Sequence, residues 1–508
     1  MRRILPVLLA LLILPVAGRA APRRQAAVQG ETAGYYFVIA RHLEESGKPA
    51  EAIAAMKRAI ELAPESAEVR AELAALYARQ NRISDAVAAA EAALELDPGN
   101  HAANRVLGSI FAALSEQKRP LRPGDDPSLY AAQALAALEK ARREDRTDLG
   151  LDVTIGRLYL RSGQHEKAIT FLQRVFTEQP EYSEGGMMLA AAQEAAGRVD
   201  DAIATLEVLI KHTPAFFRAH VRLIALYEQQ RRWKEAAAAY ARAQDVNGQA
   251  DLLGGRAAAL INSGAPKEAQ TLLTGALAGK NAPDAALLYL LAESQRLQKD
   301  YEAASATAKK LRTAFPDDVR GLVIASQLQL AQGRNDEAIA TLADLVKRMP
   351  DEPSFVYQYA QILEQSGRVP EAERALRDLI ARSPNDANAL NSLGYMFADR
   401  GERLDEAVGL LERALEIEPG NPSFLDSLGW AFFRQGRLAQ AERPLAEAAE
   451  KLPDNSVIQD HLGDLRFRQQ RYADAISSWE RALAGDGEEI DRGEIEKKLR
   501  DARERTKK

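Results

Sequence analysis

Residues 384–418 read PNDANALNSLGYMFADRGERLDEAVGLLERALEIE, and residues 419–452 read PGNPSFLDSLGWAFFRQGRLAQAERPLAEAAEKL. Both stretches open on Pro and carry Leu-Gly at the same distance from it, Leu393-Gly394 and Leu428-Gly429. Both then place an Ala, Ala407 or Ala441, in a second apolar-periodic run. Working outward, prolines at 64, 98, 180, 214, 316, 350, 384, 419 and 453 are 34, 82, 34, 102, 34, 34, 35 and 34 residues apart. The period is 34: the interval of 102 is three periods, 82 is two periods plus an insertion of 14, and only the 35 needs a one-residue adjustment.

The same offsets recur along the chain. A first apolar run carries a small residue, as in Ile155-Gly156, Leu189-Ala190 and Leu462-Gly463, often with an aromatic three positions later, as in Tyr159, Tyr227, Phe397 and Phe432. A Gly turn follows, for example Ser162-Gly163-Gln164 or Ser366-Gly367-Arg368. A second run then carries Ala at one offset: 52, 86, 168, 202, 236, 269, 304, 338, 372, 407, 441 and 475. Small residues at fixed helical offsets let backbones approach closely, which is what stacked antiparallel helix pairs require.

These offsets resemble the tetratricopeptide repeat family over about residues 33–487. The resemblance implies an all-α fold, a right-handed superhelical solenoid of about 13 helix-turn-helix repeats, in which the first helix of each repeat lines an inner groove. The expected organisation is a leader at 1–20, a lead at 21–32, repeats 1–3 over 33–146, repeats 4–7 over 147–283 and repeats 8–13 over 284–487. A charged capping helix follows over 488–508, with Ile490, Ile495 and Leu499 among its charges.

Composition narrows the function. At roughly 150 residues per domain, 508 residues would suggest three or four globular domains, an arithmetic that repeats override. The absence of Cys excludes disulfides, thiolate metal sites and a Cys-borne lipid anchor. A count of 67 basic against 73 acidic residues argues against nucleic acid as a partner and toward protein. Met1-Arg2-Arg3, the apolar run Ile4–Val16 and Gly18-Arg19-Ala20 read as a signal peptide cleaved after Ala20. Thirteen apolar residues reach only about 20 Å as a helix, against a bilayer core of about 30 Å. The expected location is the periplasm, with secretion as the alternative and no membrane span in the mature chain.

Two departures from the period stand out. Residues 115–127, SEQKRPLRPGDDP, replace a short turn and read as an inserted loop, either a tolerated surface excursion or a finger that touches a partner. Over 248–279 six glycines fall within 32 residues, and Gly248 and Asn281 occupy closing-proline positions. Interior Gly weakens a helix by about 1 kcal/mol, so this stretch reads either as the softest part of the solenoid and a candidate hinge or simply as two degenerate repeats.

No catalytic, cofactor or metal constellation is legible. Histidines 42, 101, 165, 212, 220 and 461 make no paired-ligand spacing, and no phosphate loop or nucleophile elbow occurs. Asp460 and Asp464 share one helix face while His461 points about 100° away. What remains is the inner wall, where the family offsets nominate Tyr357, Asn391, Tyr395, Asp426, Trp430, Phe433, Arg434 and Phe467 as a partner-binding groove. Tyr, Trp and Arg dominate interface energetics, although the same aromatics can instead wedge between helices as packing. The chaperone-tail clamp of this family needs basic residues where Tyr357, Asp426 and Asp460 stand, so that specificity is not carried over. The C-terminal run instead resembles bacterial periplasmic tetratricopeptide adaptors, including one that serves an envelope protease. The expectation is a non-catalytic scaffold or adaptor of the cell envelope; the alternative is an assembly or transport factor for an envelope machine or exported polysaccharide.

Overall fold

The computed structural model describes residues 32–144, 147–248, 251–279, 283–487 and 490–506. The expected leader at 1–20, and Asn281, lie outside them. The described residues contain 27 α-helices, one short 3-10 turn at Pro127–Leu129 and no strand. The chain divides into two compact units between residues 250 and 251. The first runs in antiparallel pairs from Ala33–Glu45 with Pro49–Leu62 to Phe217–Gln229 with Trp233–Val246. The second runs from Leu253–Asn262 with Pro266–Ala278 to Ser456–Arg468 with Tyr472–Ala484, and ends on the single helix Arg492–Thr506.

The repeated small residues explain the pairing. All twelve alanines of the second-helix series are fully buried. The first-helix glycines sit against a large side chain of the partner helix: an added Cβ would come within 2.6 Å of Leu172 at Gly156, 2.7 Å of Leu411 at Gly394 and 2.5 Å of Leu445 at Gly429. The first-helix aromatics are packing too. Tyr159, Tyr227, Phe397 and Phe432 are buried, and Arg232, Arg403 and Arg437 from the following turns lie over the rings of Tyr227, Phe397 and Phe432 at 4.8, 5.1 and 5.0 Å. Burial and a neighbouring carboxylate, Glu139 or Glu207, push the Tyr159 and Tyr227 phenols up to about 12.

The turn between paired helices uses one left-handed residue, such as Gly367 at φ 76° or Gly436 at φ 80°. The 35-residue repeat absorbs its extra residue here. Its turn holds two left-handed residues, Gly401 at φ 68° and Arg403 at φ 46°, so the flanking helices keep their register.

The insertion differs from its reading as a loop from residue 115. Ser115, Glu116 and Gln117 are helical, because the helix His101–Gln117 continues to Lys118 and there turns left-handed at φ 50°. The added turn has partners: Glu116 pairs with Arg157 at 3.3 Å and with Arg161 at 3.5 Å in the next repeat. The helices at 253–262 and 266–278 pack around Ala257, Leu273, Leu287 and Leu291, a small cluster. Their Gly254 and Gly275 have nothing within 4 Å of an added Cβ among the described residues. At the other end, Ile495, Leu499 and Ala502 of the terminal helix cover Ala475, Trp479 and Ala482. Among the described residues no helix is long and apolar enough to cross a membrane.

Candidate functional site

The last three first helices touch one another directly: Ala387–Arg400 meets Pro422–Arg434, which in turn meets Ser456–Arg468. Second helices make no comparable contact with each other among the described residues, so the first helices lie on the crowded, inner side of the unit. The inner side chains of these last three first helices form one layered cluster. The Trp430 indole stacks on the His461 imidazole at 4.0 Å with a 12° interplanar angle, and on Phe433 at 4.9 Å and 16°. Tyr395 approaches His461 at 6.4 Å, and the Arg434 guanidinium lies 5.6 Å from the Trp430 ring.

Charge holds the stack. His461 Nδ1 donates to the buried Asp426 carboxylate, 3.0 Å from each oxygen. Burial works against the imidazolium, yet Asp426, with Asp460 and Asp464 behind it, overcomes this and raises the His461 pKa above its ordinary value. One residue before His461 and three after it, Asp460 and Asp464 hold Lys498 of the terminal helix at 2.9 and 2.8 Å. Burial and the adjacent Asp460 raise the Asp464 carboxyl, while burial of Lys498 is outweighed by both carboxylates, which raise its ammonium.

The nominated residues therefore separate by role. Trp430, 8% exposed, and Asp426 are packing and anchoring groups rather than contact surface. Tyr395, Phe433 and Arg434 beside them are half-buried, so each is partly open to solvent. Arg434 also donates to the Asp399 carbonyl, so it is tethered rather than freely solvated. Asn391 is half-buried, and its Oδ1 is buried without a hydrogen-bond partner among the described residues. Tyr357 stands apart: its hydroxyl donates to Asp386 at 2.5 Å, the residue that caps the next first helix. Phe467 belongs to the terminal-helix cluster, 5.6 Å from Trp479 and 5.4 Å from Tyr472.

His461 is the residue that sequence reasoning left out. Its 100° offset from Asp460 and Asp464 is what aims it at Asp426, one repeat earlier, while those two carboxylates face Lys498. Among the described residues no group of three His, Asp or Glu side chains could hold a metal ion. The arrangement offers aromatic edges, a guanidinium and an amide along a row of helices, which is the chemistry of a recognition surface.

Stacked helix pairs with such a wall define a helical-repeat interaction protein. A family model described as tetratricopeptide repeat matches residues 43–110, 131–192, 163–226, 329–393 and 401–465, and a second of the same description matches 286–318. The chain belongs to the tetratricopeptide repeat family, whose members mediate protein–protein interaction. A curated relative, the TPR repeat-containing protein PA4667 of Pseudomonas aeruginosa, is 48% identical over 79 residues; the match spans 16% of this chain and 13% of the relative's length. Among solved structures, the yeast Tom70 crystal structure is 14% identical with a TM-score of 0.40, covering 94% of this chain and 96% of that one. The Cut9–Hcn1 heterotetramer of the APC/C is 12% identical with a TM-score of 0.39, covering 92% and 96%.

Proposed function

We propose that this protein is a non-catalytic scaffold or adaptor of the cell envelope that holds a segment of a partner protein against the inner face of its last repeats. The observation that carries this reading is the half-exposed row Asn391, Tyr395, Phe433 and Arg434, held on the buried stack of Trp430, His461 and Asp426. Rigid aromatic edges set by a buried ion pair present contact area with little entropy to lose on binding. The envelope location rests on the basic start, apolar run and Gly18-Arg19-Ala20 of the first twenty residues.

Two measurements test it. N-terminal sequencing of protein recovered from the envelope fraction is expected to begin at Ala21; a start at Met1 removes the exported reading. A pull-down from envelope extract is expected to retain a protease with its substrates. Retention of synthase or secretion components instead would assign the protein to assembly.

A further inference from the structure

A cavity of about 870 Å³ opens in the first unit, far in sequence from the row at Tyr395 and Phe433. Its floor is made of small or medium side chains, Ala78, Ala102, Val106, Ser109 and Ala113, on the helices Ala67–Arg79 and His101–Gln117. One wall is the insertion that this repeat alone carries: Arg119, Pro120 and Leu121 line the opening. That wall is fixed rather than free. The Leu121 amide donates to the Tyr130 hydroxyl at 2.8 Å, the hydroxyl donates to Asp125 at 2.8 Å, and the Arg122 amide donates to Asp125 at 2.9 Å. Tyr130 is itself buried and stacks on Phe111 at 5.4 Å, so a core residue holds the loop in place.

The rim is basic. Arg79, Arg105 and Arg119 line the cavity together with His101, and among the described residues no carboxylate does, in a chain whose net charge is −6. Arg119 has no carboxylate partner among the described residues. Arg79 pairs with Glu44 and Glu72, and Arg105 with Asp148 at 2.8 Å, but both side chains are about half exposed and keep unused N–H donors. Exposed pairs of this kind are worth about 0–1 kcal/mol, so an incoming carboxylate can share or replace them.

We infer that this cleft is a second docking site, for a segment of a partner protein that carries apolar side chains flanked by Asp or Glu. The apolar floor takes the side chains, the three guanidiniums face the carboxylates, and the inserted loop closes the side of the groove. The inserted 118–126 loop is thereby a specificity element of the first unit, independent of whatever the last repeats hold.

The test uses the full chain and two short fluorescein-labelled peptides with the same Leu-Ala-Leu core, one flanked by Glu and one by Lys, read by fluorescence anisotropy. The Glu peptide binds, with the Lys peptide about tenfold weaker or worse, because like charges face each other at the rim. Ser109→Trp, an exposed position that fills the floor, and Arg119→Glu each weaken the Glu peptide by about tenfold. Tyr130→Phe, which keeps the ring but frees the loop, weakens it several-fold. Circular dichroism checks that each variant is folded. Equal affinity for the two peptides, no binding of the Glu peptide, or binding indifferent to Ser109→Trp overturns the proposal. So does self-association that Ser109→Trp abolishes, since the cleft would then be filled by a second copy.

Discussion

His461 and Asp426 are one repeat apart in sequence, both buried, and joined through the imidazole Nδ1 at 3.0 Å from each carboxylate oxygen. Removing one partner of such a pair strands the other in the core, which costs about 3–5 kcal/mol. Asp426→Ala is therefore expected to lower the urea midpoint of the second unit sharply. The pair also sets a pH dependence. The His461 pKa is raised above 6.5, so its contribution is complete below that value and is lost as pH rises through the folded-state pKa. Stability should fall from mildly acid to mildly alkaline solution, and His461→Gln should flatten that fall. The comparison with His461→Gln is needed because Asp464, also raised, loses its own contribution from 3.8 upward. A wild-type slope unchanged by His461→Gln would contradict the assignment.

Glycines of the two kinds should respond in opposite directions. Gly429→Ala puts a Cβ 2.5 Å from Leu445 Cγ, and overpacking of this sort costs about 1–3 kcal/mol. Gly275→Ala meets nothing within 4 Å inside a helix, where Ala is favoured by about 1 kcal/mol. Thermal unfolding followed by circular dichroism should place the first variant below wild type and the second above it.

Much of this fold was legible because the repeat writes its packing into spacing. The Ala series and the first-helix Gly residues mark close helix approach, and each is buried where the period puts it. The site was legible only in part. Offsets identified which helices form the inner wall but not the depth of each side chain, so they nominated Asp426 for the groove and left Trp430 between groove and packing, and both are buried. His461 escaped because its partner lies on another helix, and cross-repeat pairing leaves no local signature. The length of the helix ending at Gln117 was hidden for the same reason, since its ion pairs reach to Arg157 and Arg161.

Lys498 couples the terminal helix to the last repeat through Asp460 and Asp464. Lys498→Met leaves two neighbouring, mostly buried carboxylates without their cation. The expected loss at neutral pH is about 1–3 kcal/mol, discounted for the partial exposure of the ammonium. Acidification should recover part of it as a carboxyl takes up a proton. A loss that grows toward acid pH would show that the cation is not what holds the pair.

The soft stretch has a physical basis in its thin core. The helices at 253–262 and 266–278 share a small buried cluster, so their amides should exchange with deuterium before those of the helices at 387–400 and 422–434. Exchange at equal rates would remove the hinge assignment.

In the proposed function the half-exposed edges beside the Trp430 stack, not the stack itself, contact a partner. That contact is tested by titrating the envelope protein recovered by pull-down against wild type, Phe433→Ala and Trp430→Ala, with melting measured on each. Phe433→Ala is predicted to weaken binding by about 2 kcal/mol, the scale of an interface hot spot, with a small change in melting. Trp430→Ala is predicted to cost about 3–5 kcal/mol of stability, as loss of a buried aromatic does. Unchanged affinity in folded Phe433→Ala would contradict the account.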